Sequence, residues 1–361
     1  MITYNLHHVN GLYFEITGDE GKNKSYHCEF IDNADKKLIY ETDLKPGGYA
    51  KLSRLYLSDI KVVVRYKERI VTEVNVSKHL KNSRMFISFE SSSLGDTLAW
   101  IPYCLEFQQK WNCELYVSTF HNYLFESKYP TLKFVPRGSV VNNIMGMFVI
   151  GWFYESNREP VKPNLIPLQK AATNILGLEY KELIPDLAYD ILPFPHEKKY
   201  VCISVKSTAG LKHWDYWQEV IDYLLSNGYD VMEVSNFDAE YKGLTPVVDK
   251  SLKNVMNLIH HCEFFIGLSS GLSWLSWALR KKVVMISNFT EDGHEFMTDC
   301  IRITNTEVCH GCWNKEMFRF NKGDWYWCPE HENTPRQFEC HKSINSNFVI
   351  NKIKSEVLAH I

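Results

Sequence analysis

The sequence lacks any long apolar run and any strong excess of one charge. None of its apolar stretches approaches the ~20 residues of a membrane-spanning helix, so we expect no membrane insertion. Forty basic and 43 acidic side chains leave a net charge of −3, which excludes the strong field that collects nucleic acid or an anionic membrane surface. The opening residues, Met1–Asn5, have neither the charged nor the apolar part of a signal peptide. These absences predict a cytoplasmic protein, and 45% hydrophobic content in 361 residues excludes intrinsic disorder.

The hydrophobic pattern predicts an all-β start followed by two α/β blocks. Residues 1–80 contain short β-branched and aromatic segments separated by turn-forming clusters, which is typical of a small β-rich module. Strands then alternate with helices in 81–195 and again in 196–308, and this alternation indicates parallel sheets with crossover helices. In the first block we predict one continuous helix over 97–111. The expected architecture is two doubly wound domains facing a cleft, with ligands outside the carboxyl ends of the strands.

The first candidate site lies where the predicted strand Met85–Phe89 is followed by that helix. Gly95 permits a tight backbone turn, and Asp96 falls at or near the helix N-terminus, where unpaired N–H groups and the helix dipole favour a negative side chain. Asp96 is therefore either a simple N-cap or an ionised carboxylate that removes a proton from an acceptor hydroxyl. This segment alone does not separate the two interpretations.

Two hydroxyl-rich loops follow strands of the second α/β block. The first loop carries Ser207, Thr208 and Lys212, and the second carries Ser269, Ser270, Gly271 and Leu272. Hydroxyls, backbone N–H groups and a lysine suit a diphosphate, which needs hydrogen-bond donors and positive charge. The first loop lacks the full Walker pattern, so hydrolysis of a nucleoside triphosphate is not supported. Each loop alone also fits an ordinary strand-to-helix connection, but two of them opposite an acidic loop favour a nucleotide-sugar transferase.

Four of the ten cysteines cluster near the C-terminus. Cys309 and Cys312 can chelate one ion from a single turn, and Cys328 and Cys340 can complete a tetrahedral thiolate site. Residues 309–361 are thus predicted to form a four-cysteine metal finger followed by a C-terminal helix, with four unligated thiols as the simpler alternative. Because a second C-x-x-C is absent, a histidine stays open as the replacement for one cysteine: His310, His331 or His341. Spacing does not choose between zinc and iron, and a closed site is structural, so we expect no catalytic metal.

With these motifs in place, the chain resembles the bacterial autotransporter heptosyltransferases. The resemblance covers most of the chain and rests on the β-rich start, the Ser93–Pro102 motif, the Ser207–Lys212 loop and the Cys309–Cys340 finger. It implies a GT-B-like fold: an α/β pair of Rossmann-type domains with an N-terminal all-β module and a C-terminal metal finger of four cysteines. In that fold, 81–195 is the acceptor-side domain and 196–308 binds the nucleotide sugar.

The resemblance also implies an activity, a metal and an assembly. Members of the family move heptose from ADP-heptose to serine hydroxyls of an autotransporter adhesin, which implies Asp96 as general base of an inverting displacement and Lys212 on the diphosphate. The other expected substrate-binding residues are Thr97, Ser207, Thr208, Ser269, Ser270, Gly271 and Leu272. The ligands of one structural metal ion are expected to be Cys309, Cys312, Cys328 and Cys340, with Fe(III) favoured over zinc. The expected assembly is a ring-like homo-oligomer, a dodecamer by resemblance.

Three alternatives compete with this interpretation. The same donor loops would serve a glycosyltransferase with another acceptor, either the lipopolysaccharide core or a different protein. In the second alternative, the chain is a non-catalytic protein that uses the β-rich module and the finger to bind partner proteins. A nucleic-acid module built on the finger is disfavoured, because acidic side chains within 309–340 offset the basic ones.

Overall fold

Packing divides the chain into two units. The computed structural model describes residues 2–18, 24–237, 240–320 and 326–360, and of His360 only the backbone. Unit 1 comprises Met1–Ser92, Trp100–Pro163 and Gln169–Leu183, and unit 2 comprises Ser93–Ala99, Asn164–Leu168 and Ile184–Ile361. The segment Ser93–Ala99, which contains Asp96, therefore belongs to unit 2. The four predicted domain ranges stay predictions, and residues 321–325 of the predicted finger lie outside the described residues.

The N-terminal part of unit 1 consists of antiparallel strands. Strands β1 to β7 cover, in order, Thr3–His7, Tyr13–Gly18, Tyr26–Asp32, Leu38–Leu44, Tyr49–Lys51, Ile60–Tyr66 and Arg69–Asn75, and helix α1 covers Val76–Leu80. The strands form a β1-β2-β5 sheet and a β4-β3-β6-β7 sheet. Alternate side chains point inward, as the period of a strand requires, so Phe14, Phe30 and Val62 are fully buried in one core. The predicted β-rich start is confirmed.

The rest of unit 1 is built on a parallel sheet. Its strands, in the spatial order β10-β9-β8-β11, are β8 (Arg84–Phe89), β9 (Glu114–Ser118), β10 (Lys133–Phe134) and β11 (Gly146–Ile150). The helices of this stretch of chain are α2 (Leu94–Trp100), α3 (Pro102–Trp111) and α4 (Leu168–Leu176). The prediction of one helix over 97–111 is wrong. The helical segment begins earlier, at Leu94, and Pro102 has no N–H to continue α2, so a new helix starts there.

Unit 2 contains a second parallel sheet. Its strands, in the spatial order β13-β12-β14-β15-β16, are β12 (Tyr200–Ser204), β13 (Asp230–Glu233), β14 (Phe265–Leu268), β15 (Val283–Ile286) and β16 (Cys300–Ile303). The helices between them are α5 (Trp217–Ser226), α6 (Leu252–His261) and α7 (Gly271–Ala278). Ile203, Ile266 and Val284 are fully buried, as expected for strands of a parallel sheet that is covered on both faces. The predicted alternation of strands and helices is confirmed.

The C-terminal helices complete unit 2. They are α8 (Glu339–Lys342) and α9 (Ser346–Glu356). Elsewhere along the chain and at its end, single 3-10 turns lie at Asn122–Leu124, Pro163–Leu165, Gly210–Lys212, Cys312–Asn314 and Leu358–His360. Asn345 caps α9 by accepting the backbone N–H of Phe348 at 3.0 Å. Val349 and Ile353 of α9 join the core of the second parallel sheet. Within the described ranges, no helix combines the length and the apolar character that a bilayer crossing requires.

Unit 1 also buries a carboxyl group. Glu159 is 2% exposed. Neither of its carboxyl oxygens has a hydrogen bond of good distance and angle to another described residue. Burial raises the pKa of Glu159 to about 8, whereas a glutamate in an unfolded chain titrates at about 4.3. Between these two values, the folded state holds a proton that the unfolded state releases.

We therefore expect the contribution of Glu159 to the free energy of unfolding to fall as the pH rises from about 5 to about 8, because at this side chain the folded state binds more protons than the unfolded state in this window. The contribution of Glu159 amounts to about 1.4 kcal/mol per pH unit at the steepest point. Replacing Glu159 by Gln should flatten this dependence, and Glu155→Gln, at an exposed position, should not. Denaturant titrations at both ends of the window measure the difference, and equal pH slopes for Glu159→Gln and the wild type would contradict it.

Candidate active site

The second parallel sheet places two loops at its topological switch point. β12 lies between β13 and β14, which gives the strand order 2-1-3-4-5 of a doubly wound sheet. The loop that contains Lys212 follows β12, and the turn Ser269–Gly271 follows β14. Ligands of such sheets bind outside the carboxyl ends of the strands where the winding reverses. Both hydroxyl-rich loops therefore lie where a ligand of unit 2 is expected.

Lys212 bridges these two loops. Its Nζ donates hydrogen bonds to the carbonyl oxygen of Ser269 at 2.7 Å and to Ser269 Oγ at 3.3 Å. Burial lowers the pKa of Lys212, while the negative charges of Glu295 and Asp96 act in the opposite direction. An ammonium group has three N–H donors, so a third remains beyond the two that bind Ser269.

Asp96 is close to Lys212 and is not the cap of its helix. Ser93 acts as the cap, since its Oγ accepts the backbone N–H of Asp96 at 3.4 Å. Asp96 is the third residue of α2, so the simple N-cap interpretation is wrong. Asp96 is 8% exposed, and its charge acts on Lys212. Asp96 still lies in the first turn of α2, where the helix dipole favours a negative side chain.

Two glycines allow the start of α2 to approach the start of α7. A Cβ atom on Gly271 would lie 3.4 Å from the backbone nitrogen of Gly95, so the two backbones are already in close contact. The first N–H groups of α7 have no acceptor within their own helix, and they favour negative charge nearby. Within unit 2 the structure thus brings together Asp96, Lys212 and the turn Ser269–Gly271.

The residues after β14 present donors at this turn. Ser270 Oγ is buried and has no hydrogen-bond partner among the residues that the structure describes. Gly271 and Leu272 are the first residues of α7, so their N–H groups belong to the helix N-terminus. Thr208, from the loop after β12, is exposed. Ser270, Gly271 and Leu272 are half-buried, and the predicted substrate contacts of all four residues stay predictions.

Two other predicted substrate-binding residues use their hydroxyls locally. Ser207 Oγ donates to the carbonyl oxygen of Ala209 at 2.9 Å. Thr97 is fully buried, and its hydroxyl donates to the carbonyl oxygen of Ser93 at 2.9 Å. In this structure both hydroxyls stabilise the backbone that positions their neighbours, and their predicted contacts with substrate stay predictions.

A buried ion pair that no sequence motif indicates lies next to Ser269. The Glu295 carboxylate accepts a hydrogen bond from Ser269 Oγ and pairs with Arg302 of β16 at 2.6 Å. Burial alone would raise the pKa of Glu295, but the positive charges of Arg302, His294 and Lys212 and the hydrogen bond from Ser269 together outweigh burial and hold this pKa at about 2. The sequence shows only a glutamate after β15 and an arginine in β16, and neither pattern identifies the partner.

The four cysteines of the predicted finger come together in unit 2. Cys312, Cys328 and Cys340 are buried, and Cys309 is half-buried. Burial raises the pKa of Cys312 to about 11 and that of Cys340 to about 12, and neighbouring thiols of the same group contribute to both shifts. Cys309 and Cys312 are likewise close enough to interact electrostatically. Four thiols from segments that are distant in sequence are therefore near enough to interact electrostatically.

The surroundings of these sulfur atoms suit metal ligands. The side-chain amide of Asn288 donates to Cys340 Sγ at 3.6 Å, and the backbone N–H of Phe338 donates to Cys328 Sγ at 3.5 Å. Hydrogen bonds from the outer shell orient ligands and tune their basicity. The donor set is thus one that fits a structural metal ion with thiolate ligands.

A histidine also remains open as a ligand. Among the described residues, the group that brings three ligand atoms within 4.8 Å of one another consists of Cys309, His331 and Glu339. Glu339 is already engaged by Arg336 and by the backbone N–H of Cys309, which disfavours it as a ligand. His331 therefore stays open as the replacement for one cysteine.

The fold and this site define a glycosyltransferase with a GT-B-like fold. The sequence pattern of glycosyltransferase family 9 (heptosyltransferase) matches residues 178–317 of this chain. The structure is similar to the crystal structure of the iron-containing dodecameric glycosyltransferase TibC from enterotoxigenic Escherichia coli H10407, with a TM-score of 0.87 and 29% identity over 99% of this chain and 97% of that one. A second TibC structure, in complex with ADP-D-beta-D-heptose, gives a TM-score of 0.84 and 30% identity over 97% of this chain and 94% of that one. The predicted fold class is confirmed.

Sequence relatives identify the family. This chain is 33% identical to the autotransporter heptosyltransferase TibC of Escherichia coli O78:H11 over 92% of its length and 86% of TibC. It is 30% identical to the autotransporter heptosyltransferase Aah of Escherichia coli over 96% of its length and 93% of Aah. The chain belongs to the autotransporter heptosyltransferases. BimC of Burkholderia thailandensis, an inactive autotransporter heptosyltransferase, is also similar, at 29% identity over 78% of this chain and 71% of BimC.

Proposed function

We propose that this protein moves heptose from ADP-heptose to serine hydroxyls of an autotransporter adhesin. The observation that carries the proposal is the meeting of Asp96, Lys212 and the turn Ser269–Gly271 within unit 2. Transfer from a sugar diphosphate to an alcohol is favoured by a general base that accepts the proton of the alcohol. It is also favoured by a positively charged site nearby that binds the diphosphate. The complex of TibC with ADP-D-beta-D-heptose supports the choice of donor.

In this proposal the diphosphate of the donor binds to Lys212 and to the start of α7. Lys212 supplies a positive charge and an N–H donor, and Ser270 supplies a buried hydroxyl that has no partner among the described residues. Gly271 and Leu272 add N–H groups at the helix N-terminus. These groups stabilise the negative charge that develops on ADP as it leaves. The remaining proposed substrate contacts are Thr97, Ser207, Thr208 and Ser269.

Asp96 is the proposed general base. A serine hydroxyl is a weak nucleophile, and a carboxylate within hydrogen-bond reach accepts its proton as the new bond forms. The serine oxygen then bonds to the anomeric carbon of heptose while the bond from that carbon to the ADP oxygen breaks. A single displacement of this kind inverts the configuration and needs no second carboxylate as nucleophile.

The finger is proposed to hold one structural ion on Cys309, Cys312, Cys328 and Cys340. TibC is iron-containing, so Fe(III) is favoured over zinc. A four-coordinate thiolate site has no open position for a substrate, and a bound ion would act as a cross-link between segments of the finger. The chemistry of the transfer is left to the side chains around Lys212.

We further propose that the protein assembles into a ring-like homo-oligomer and works in the cytoplasm. TibC, which this chain resembles over nearly its full length, is dodecameric. The relatives are named as autotransporter heptosyltransferases, which supports an autotransporter adhesin as the acceptor.

Incubation with ADP-heptose and a candidate adhesin should raise the mass of the adhesin in steps of one heptosyl unit, as measured by intact-protein mass spectrometry. The Lys212→Met variant should transfer at least about tenfold more slowly, because a hydrogen bond from a charged donor contributes about 1.5–3 kcal/mol. Lys206→Met, in the same loop, is the matched control. Binding of ADP-heptose without any change in adhesin mass would instead favour a non-catalytic protein, comparable to inactive BimC.

A further inference from the structure

A buried ion pair next to the proposed donor site takes no direct part in the proposed transfer. The side chains of Arg302 and Glu295 are 7% and 3% exposed, and Arg302 Nη1 lies 2.6 Å from Glu295 Oε2. A buried pair costs much of its Coulomb energy in lost hydration, and well-packed apolar residues often serve stability as well. Stability alone therefore does not explain why the Arg302–Glu295 pair lies next to the proposed donor site.

The pair is held in one orientation by its neighbours. Thr290 Oγ1 donates to the Glu295 carboxylate, with both oxygens at 3.0 Å. Arg302 donates to the carbonyl oxygen of Thr290 at 2.9 Å and to Ser287 Oγ at 2.6 Å, and its Nε lies 3.0 Å from Asp292 Oδ1. Because these contacts fix Arg302, the Glu295 carboxylate has a defined position beside Ser269.

Glu295 determines which way the Ser269 hydroxyl points. Ser269 Oγ donates its hydrogen to Glu295 Oε1, so its lone pairs are left to accept from Lys212 Nζ, which lies at 3.3 Å. The carbonyl oxygen of Ser269 accepts a second hydrogen bond from Nζ at 2.7 Å. The ammonium is thereby held at two points, and its third N–H has a fixed direction.

Glu295 also balances the charge around Lys212. Burial and the positive charge of Arg302 disfavour a charged ammonium at this position, whereas the negative charges of Glu295 and Asp96 favour it. Arg302 in turn neutralises Glu295, so the positive charge of Lys212 remains available to an incoming anion. Lys212 is thus kept positively charged in a partly buried position, and its charge is not neutralised by Glu295.

We infer that Glu295 is a positioning residue for the donor, which acts through the Ser269 hydroxyl to orient Lys212 toward a nucleoside diphosphate. This inference rests on the proposed function, since it assumes that Lys212 binds the diphosphate. It assigns a role to a residue that does not itself touch the donor. The expected consequence is a specific loss of donor affinity when the link is broken.

The test compares ADP affinity of the full chain by calorimetry with KM and kcat for ADP-heptose. Glu295→Gln and Ser269→Ala should each weaken ADP binding about tenfold and raise KM for the donor by a similar factor, with a much smaller change in kcat. The double variant should bind no more weakly than the worse single variant, because both changes break the same link. Ser276→Ala removes a buried hydroxyl of α7 that donates to its own helix, and it should bind ADP like the wild type.

The outcomes separate this inference from the proposed function. If the wild type bound no ADP, both would be overturned. If the wild type bound ADP and the two single variants bound it equally well, or if their effects added in the double variant, only the role of Glu295 would be overturned. If Glu295→Gln does not fold, two other variants test the role of Glu295. Ser269→Ala keeps the Arg302–Glu295 pair intact, and Glu295→Asp keeps the negative charge at position 295.

Discussion

Asp96→Asn is expected to lower kcat about 10³-fold, since a positioned general base contributes about 10² to 10⁴ to a rate. Asparagine has nearly the same shape as aspartate, but it cannot accept the proton of the serine hydroxyl. Affinity for ADP should stay within a few-fold of the wild type or improve slightly, because a negative charge near the diphosphate is removed. The effect should therefore lie in kcat and not in KM for the donor.

Turnover at saturating ADP-heptose, followed by adhesin mass, measures this effect. Asp186→Asn is a matched control within unit 2, since that carboxylate pairs with Arg280 at 3.0 Å in an exposed position, and it should leave kcat unchanged. Calorimetry with ADP confirms that the Asp96 variant is folded and competent to bind. Wild-type turnover by Asp96→Asn would remove Asp96 from the mechanism and leave the donor site without its base.

The position of the donor loops is predictable from sequence because the alternation of strands and helices indicates a parallel sheet. A strand that runs into a hydroxyl-rich loop and then a helix is recognisable at Lys212 and again at Ser269–Gly271. In a doubly wound sheet, the carboxyl ends of such strands lie at one edge, which brings the two loops together without knowledge of side-chain contacts. Asp96 was likewise recognisable from its place after a strand.

The partners of these residues are not predictable, because they depend on tertiary contacts. Glu295 and Arg302 are separated by a loop and a strand boundary, and only the folded chain pairs Arg302 with Glu295 and brings Glu295 to Ser269. Ser93, not Asp96, caps α2, although both residues fit the pattern of a cap. The break before α3 follows from Pro102, which has no N–H to continue a helix and favours the first position of a new one.

Membership in the family does not by itself establish turnover. The inactive relative BimC shows that a chain can share the family's sequence pattern without the activity. Function resides in specific side chains placed on a fold, and the fold alone does not guarantee it. In this chain the charged groups that are linked to Lys212 or to the Ser269 turn include Asp96, Glu295 and Arg302, so the case for activity rests on them and on Lys212.

Cys309→Ser should cause the largest loss of stability among the proposed variants. If the four cysteines hold an ion, loss of one ligand should release it and lower the free energy of unfolding by about 4 kcal/mol or more. Cys300→Ser is the matched control, because Cys300 is also half-buried but lies in β16, outside the finger. Metal analysis and calorimetric melting of both variants measure the difference.

The same variant should weaken ADP binding, because the finger packs against the loop that carries Lys212. Leu211, Phe289, Cys312 and Phe320 share one buried cluster, and Lys212 Nζ lies 5.6 Å from the ring centroid of Phe289. The backbone N–H of Trp313 donates to the carbonyl oxygen of Phe289 at 3.0 Å, which ties the finger to that ring. Calorimetry with ADP well below the melting transition separates this local effect from unfolding. Unchanged metal content and melting temperature in Cys309→Ser would show that the finger does not depend on an ion, and would leave its packing on Phe289 as its whole contribution.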